Sequence, residues 1–255
     1  MPLHIRDLGE GPPVVLLHPG PGLDGSVFLP GAHALVEAGF RALLVDLPGS
    51  GRSPGDDFTL RAQATAVEGL LRELEAPTLL GHSFGGYVAM QHLVDFPGSA
   101  SRLIASCTDA DEEEAPGTPE DPYADLPPEV VAAFEREPSV TTPEECHEVW
   151  VGQMPFFAVD PEKVVPMLDD VVFQPQAHHE HDLGELHALD ALAATDMPVL
   201  AIAGAQDRFG TGAAERIAAT APRGELLIVE AAGHFPFAEA PERYWPPVVD
   251  WLSRA

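Results

Sequence analysis

Thr78-Leu79-Leu80-Gly81-His82-Ser83-Phe84-Gly85-Gly86 is the stretch from which the fold of this chain is read. An apolar run ends at Leu80 and a helical pattern begins near Gly85, so the spacing predicts a strand over 78–80 and a helix over 85–96. Ser83 falls on the turn between them. A turn this sharp holds its central residue in a strained backbone, and the neighbours two places before and after must be small to let the chain segments pass. Glycine occupies both places, at 81 and 85. The helix that follows points its first N–H groups toward Ser83, where they would favour negative charge. An ordinary turn serine is the competing reading, and the strand-turn-helix context disfavours it.

Outward from this turn, short apolar runs bounded by Gly and Pro predict further strands over 14–17, 42–45, 103–106, 199–203 and 225–229. Several are apolar throughout, as strands covered on both faces must be. Helical stripes over 59–74, with Thr59 as N-cap, and over 212–221 lie between them. Alternation of this kind predicts an α/β fold, with a mostly parallel central sheet and helices on both faces. The alternation breaks over 109–190, which opens with Asp109, Asp111, Glu112, Glu113 and Glu114, then Pro116, Pro119 and Pro122. Helical patches follow near 129–136 and 143–154. We expect a core built from 1–108 and 191–255, with 109–190 as a helical cap insertion whose acidic opening is a solvated linker.

Two further segments place chemistry beyond strand ends, where open α/β sheets build their sites. Ala203-Gly204-Ala205-Gln206-Asp207 follows one predicted strand, and Ala232-Gly233-His234-Phe235 follows the last. A serine hydroxyl is a weak nucleophile until a base takes its proton. His234 is the candidate base and Asp207 the candidate acid that orients it. Asp109 is the rival for the acid, and Asp46 in Asp46-Leu47-Pro48-Gly49-Ser50-Gly51-Arg52-Ser53 is expected to support the fold.

With Gly-His-Ser-Phe-Gly in place and the order Ser, Asp, His along the chain, the sequence resembles an α/β-hydrolase over nearly its whole length. The resemblance implies the α/β-hydrolase fold and an acyl-enzyme formed on Ser83. It also implies an oxyanion hole from the backbone N–H of Phe84 and one in the loop His18-Pro19-Gly20-Pro21-Gly22. Pro19 and Pro21 have no N–H to give, which leaves Gly20 as the second donor. This loop departs from the commoner His-Gly-Gly-Pro-Gly by carrying Pro19, and it is similar to that of proline iminopeptidases. An aminopeptidase of that type is therefore the first expectation. Such enzymes bind a free amine through acidic cap residues, for which Glu144, Glu145 and Glu148 are candidates. Trp150 is followed by Val151 where larger members carry a Trp-Glu pair. Trp150, Phe156 and Phe157, with Met154, are candidates for lining an acyl or side-chain pocket. A carboxylesterase or carbon–carbon bond hydrolase with the same three residues is the alternative, and a ligand-binding protein on a hydrolase fold is the non-enzyme alternative.

Composition narrows the partners. Against 41 acidic residues stand 13 basic ones, a formal charge of -28, so nucleic acid is excluded as a partner because phosphate binding needs clustered Lys and Arg. An acidic field favours cationic ligands, and adaptation to salt would produce the same balance. No apolar run is long enough for a membrane span and the amino terminus lacks a secretory layout, so a cytoplasmic location is expected. Cys107 and Cys146 are expected as free thiols. His178, His179, His181 and His187 lie close in sequence, but no second cluster completes a tetrahedral site, so no metal and no cofactor is expected. The expected partner is a small-molecule or short peptide substrate, and the oligomeric state is left open.

Overall fold

The computed structural model describes residues 2–111, 113, 115 and 119–254. Glu112, Glu114 and Pro116 of the acidic opening lie outside the described residues. A seven-stranded sheet runs in the order β1-β3-β2-β4-β5-β6-β7. Its strands are β1 (Ile5–Leu8), β2 (Pro13–Leu17), β3 (Arg41–Val45), β4 (Thr78–His82), β5 (Arg102–Ser106), β6 (Val199–Gly204) and β7 (Gly224–Val229). β1 pairs antiparallel with β3 and every other pairing is parallel.

The register explains why the central strands are apolar throughout. Leu44, Leu16, Leu80, Ile104 and Leu200 lie side by side across five strands and face one core. Their chain neighbours Leu43, Val15, Leu79, Leu103 and Val199 form the adjacent row and face the other. Successive strand residues point to opposite sides, so a sheet buried on both needs both rows apolar. α1 (Leu29–Glu37), the short α10 (Pro236–Glu239) and α11 (Pro241–Leu252) cover the first face, where Phe28, Leu35, Phe237, Tyr244 and Trp245 are buried. α2 (Leu60–Leu71), α3 (Phe84–Asp95), α8 (Leu189–Ala194) and α9 (Gly212–Thr220) cover the second.

Thr59 caps α2 by accepting from the Ala62 N–H at 3.3 Å, and the helix closes at Leu71 rather than at residue 74. β1 was not expected from the sequence. Its Arg6 and Asp7 break the apolar pattern, and Asp7 instead pairs with Arg41 on β3 at 2.7 Å. α11 is also unforeseen, because Pro246 and Pro247 lie inside it and read as helix breakers.

Between β5 and α8 lie α4 (Pro128–Arg136), α5 (Pro143–Phe157), α6 (Pro161–Val164) and α7 (Pro175–Glu180). α5 starts with a reciprocal cap: Thr142 accepts from the Glu145 N–H and the Glu145 carboxylate accepts from the Thr142 N–H. Val149, Trp150 and Met154 on α5 join the core of the first sheet face. No helix among the described residues is long and apolar enough to cross a membrane. Both cysteines are free and buried.

Candidate active site

β4 ends in Gly81 and His82, and Ser83 stands before α3 with φ 50° and ψ -118°. That conformation is sparsely populated by residues with a Cβ and costs about 1–3 kcal/mol, so the surroundings must enforce it. They do so by backbone contact. A Cβ on Gly81 would sit 2.3 Å from the Gly85 carbonyl oxygen, and one on Gly85 would sit 2.2 Å from that of Leu17. Glycine is required at both places. The strained turn lifts Ser83 out of the sheet edge into a cavity of about 640 Å³.

His234 and Asp207 reach the same point from two other strands. Asp207 follows β6 and His234 follows β7. The Gly204 and Gly233 segments touch so closely that a Cβ on Gly204 would lie 1.9 Å from the Gly233 carbonyl oxygen. The His234 Nδ1–H donates to Asp207 Oδ2 at 2.8 Å. Since a carboxylate only accepts, the proton sits on Nδ1, and Nε2 is left to accept from the Ser83 hydroxyl at 2.9 Å. Asp207 Oδ1 accepts from the Phe209 N–H at 3.1 Å, which fixes the carboxylate plane. Asp207 and His234 are both buried, so this relay is shielded from water.

Phe84 is the first residue of α3, where an N–H has no intrahelical acceptor. Gly20 lines the cavity with φ 48°, and a Cβ there would meet the Trp150 ring at 2.6 Å. His18 sets the shape of this loop. Its Nε2 accepts from the Leu47 N–H at 3.2 Å, so its Nδ1–H donates to the Pro19 carbonyl at 2.9 Å. Burial pushes the His18 imidazole below its ordinary pKa and keeps it neutral.

The rival acid lines the same cavity but is paired with another partner. Asp109 accepts from the Arg216 guanidinium at 2.6 Å and makes no bond to His234. Asp46 accepts from the Gly25 and Arg52 N–H groups at 3.0 and 2.9 Å, holding two loops together as a fold-supporting carboxylate.

Trp150 and Phe157 line the cavity, but five other candidates do not, and of these Met154 is buried in the core of the first sheet face. Phe156 turns away to stack on Tyr123, with ring centroids 4.9 Å apart, and packs edge-on against Phe134. Glu145 is consumed in the α5 cap. Glu148 pairs with Arg136 at 2.7 Å on the surface, and Glu144 is exposed in the first turn of α5. The i, i+4 spacing of Glu144 and Glu148 put them on one face, but that face is turned to solvent because Val149, Trp150 and Gln153 take the buried one. The four clustered histidines also part company. His178 meets Glu137 at 3.0 Å, His179 the Val140 carbonyl, His181 the His178 carbonyl and His187 Asp111.

Three participants escaped the sequence reading. Cys107, with φ 46°, lines the cavity, and its sulfur lies within 4.8 Å of ligand atoms of Asp207 and His234. Burial and then the Asp207 charge push its thiol pKa well up, so it stays protonated. The Phe157 carbonyl at the end of α5 accepts from the His234 N–H at 2.7 Å, tying the inserted helices to the candidate base. Glu239 is the third. Its Oε1 accepts from the Gly233 and Phe235 N–H groups at 2.9 and 3.2 Å, and its Oε2 from the Val159 N–H at 2.7 Å. One buried carboxylate thus clamps the His234 loop to Val159, two residues beyond α5. Burial raises its pKa against the pull of those N–H groups. No motif marks a residue whose partners are all backbone.

The family described as "Alpha/beta hydrolase family" matches residues 14–245. A pimeloyl-[acyl-carrier protein] methyl ester esterase of Shewanella oneidensis is 28% identical over 264 residues, covering 99% of this chain and 95% of that protein. A 2-hydroxy-6-oxononadienedioate/2-hydroxy-6-oxononatrienedioate hydrolase of Pseudomonas putida is 29% identical over 98% of this chain and 91% of its own length. Among solved structures, a thermophilic esterase from Thermogutta terrifontis superposes with a TM-score of 0.76 at 26% identity, covering 98% of this chain and 92% of the esterase. None of these three bears a peptidase name.

Proposed function

The chain belongs to the alpha/beta hydrolase family, and from that premise we propose that it is a carboxylic ester hydrolase working through Ser83, His234 and Asp207. One observation carries this reading: the continuous relay from Asp207 Oδ2 through the His234 ring to Ser83 Oγ, with bonds of 2.8 and 2.9 Å. Aminopeptidase action, the first expectation from the sequence, loses its support. Glu144, Glu145 and Glu148 all lie away from the cavity, and the relatives named above are esterases and a hydrolase of oxo-dioates.

In the proposed reaction the Ser83 hydroxyl gives its proton to His234 Nε2 while Oγ attacks the ester carbonyl carbon. Asp207 stabilises the imidazolium that results and does not itself take the proton. The former carbonyl oxygen becomes an oxyanion that accepts from the N–H groups of Phe84 and Gly20. Collapse breaks the carbon–oxygen bond, and the leaving alkoxide takes the Nε2 proton and departs as the alcohol. Water then attacks the acyl-Ser83, losing a proton to Nε2, and the second collapse returns that proton to Ser83 and releases the acid. Removing one oxyanion donor in enzymes of this type costs about 3–4 kcal/mol of transition-state stabilisation, so each donor supplies a substantial part of the rate.

Carbon–carbon bond cleavage by the same three residues is the second reading, supported by the Pseudomonas putida relative. The test uses a fluorophosphonate probe and short-chain methyl esters. Wild type should gain one probe adduct by intact mass and release methanol, and Ser83→Ala should do neither. A folded wild type that neither takes the probe nor turns over any ester would overturn the ester reading.

A further inference from the structure

The two arginines that neighbour the cavity give Nη groups to protein acceptors. The described residues lining it include Asp109, Asp111 and Asp207, and none of them is Lys or Arg. Arg216 stands behind Asp109, its Nη2 donating to Asp109 Oδ1 at 2.6 Å and to the Glu113 carbonyl at 2.7 Å. Arg208, next in sequence to the candidate acid, is turned away. Its Nη1 donates to the carbonyls of Pro122 and Ala124, both at 3.1 Å, and its guanidinium lies over the Phe156 ring. Of the two lining histidines, His234 is committed to Asp207 and Ser83, and His181 gives its Nδ1–H to the His178 carbonyl. Aromatic rings make up much of the wall: Phe84, Tyr87, Trp150, Phe157 and Phe209 line the space beside Cys107 and Thr108, and the rings of Phe157 and Phe209 stand 5.5 and 5.2 Å from that of His234.

From this we infer that the site, if it is the ester-hydrolase site on which this inference rests, selects esters of uncharged, apolar acids and discriminates against acids that carry a second, free carboxylate. An anion entering the cavity would give up water for aromatic walls and the carboxylates of Asp109, Asp111 and Asp207, with no lining Lys or Arg to replace the lost hydration. The overall charge of -28 adds a repulsive field along the approach. A neutral acyl chain of the same length meets neither penalty and gains by leaving water for apolar surface.

The test compares methyl pentanoate, dimethyl glutarate and monomethyl glutarate at neutral pH. Methanol release is followed, and each rate is divided by that ester's hydroxide-catalysed rate to remove intrinsic reactivity. The two neutral esters should agree in kcat/KM to within about threefold, and the hemiester should fall at least about tenfold below them, or about 1.4 kcal/mol. Leu183 lines the cavity and is partly exposed at its rim, so an arginine can be placed there without disturbing the core. Leu183→Arg should raise the hemiester relative to dimethyl glutarate. A hemiester hydrolysed as well as the neutral esters by the wild type, or a gap that Leu183→Arg leaves untouched, would overturn the inference while the ester-hydrolase reading stands. If no ester releases methanol and the fluorophosphonate leaves Ser83 unlabelled, the reading itself fails and the inference falls with it.

Discussion

At the carboxyl edge of the sheet, backbone meets backbone. Gly81 lies against Gly85, Gly85 against Leu17 and Gly204 against Gly233, each too close for a Cβ. In the segment between β5 and β6, side chain meets side chain: Arg136 with Glu148, His178 with Glu137, Phe156 with Tyr123. The two regions line one cavity but are held by different physics. Contact between backbones allows a single residue type and therefore fixes the sequence. A tie between side chains is satisfied by many residue pairs, so its geometry leaves little trace in sequence. Variants at the sheet edge should therefore act on chemistry, and variants in the inserted helices should act on local stability.

Asp207→Asn is the largest expected effect. The substitution keeps the shape, but Asp207 now accepts two N–H bonds, from Phe209 and from the His234 ring. An amide offers only one accepting atom. Its NH2 would face one of these donors, and the ring would be driven to the tautomer whose Nε2 carries the proton and cannot take another from Ser83. A loss of about 10⁴-fold in kcat is expected with the fold retained, measured by steady-state ester hydrolysis beside circular dichroism. A loss below about tenfold would break the link drawn between backbone-fixed geometry and chemistry.

Glu239→Gln sits where the two regions join. The carboxylate accepts from Gly233, Phe235 and Val159, and an amide nitrogen must be turned toward one side of that set. Leaving a buried N–H without an acceptor costs about 1–3 kcal/mol. Chemical denaturation should register this loss. Because the His234 loop is loosened as well, kcat should fall more than KM rises.

These two residues mark the limit of what the sequence makes legible. Ser83, Asp207 and His234 were readable because each follows its own apolar run and each run is bounded by glycine that sterics demand. Five strands could be read from burial on both faces and the edge strand β7 from its short apolar run alone, whereas β1, an edge strand carrying Arg6 and Asp7, could not. Glu144, Glu145 and Glu148 were misread because spacing places residues on a common helix face without saying which way that face turns. Phe156 and Phe157 are adjacent, yet only the second lines the cavity, a difference set by Tyr123 and Phe134 packing from outside α5. Glu239 carried no signal, because a carboxylate that bonds only backbone N–H groups looks like any glutamate at the start of a helix.

Within the inserted helices, Glu137 should make stability depend on pH. Burial alone would raise its carboxyl pKa, but the bond and charge of His178 and the Gln153 amide overcome that and hold it below the ordinary glutamate value. For a carboxylate whose folded pKa is depressed, the stabilisation is complete above the unfolded pKa, about 4.3, and is lost as pH falls through the folded value. Hydrogen exchange in α4, α5 and α7 should therefore quicken as pH drops below about 4, after correction for intrinsic rates, while β4 and β6 stay protected. Glu137→Gln should remove that acid sensitivity at a loss of about 1 kcal/mol at neutral pH. Acid loosening that begins at the sheet edge instead would invert the comparison.

The smallest effect is expected at Glu148, and it sharpens the comparison because the sequence offered this residue as a substrate ligand. Its side chain is more than half exposed and its partner Arg136 is nearly so. A surface pair of this kind gains little, because water screens the attraction and two long side chains lose freedom in making it. Glu148→Ala should change the unfolding free energy by no more than about 0.5 kcal/mol. Since its carboxylate faces solvent on the side of α5 opposite Trp150, kcat/KM for neutral esters should not change, and neither should the ratio for an amino-acid ester over its des-amino analogue. That ratio is the decisive measurement. A carboxylate that bound a substrate amine would lose preference for the amino ester on truncation, whereas one that only pairs with Arg136 across a helix surface has no preference to lose.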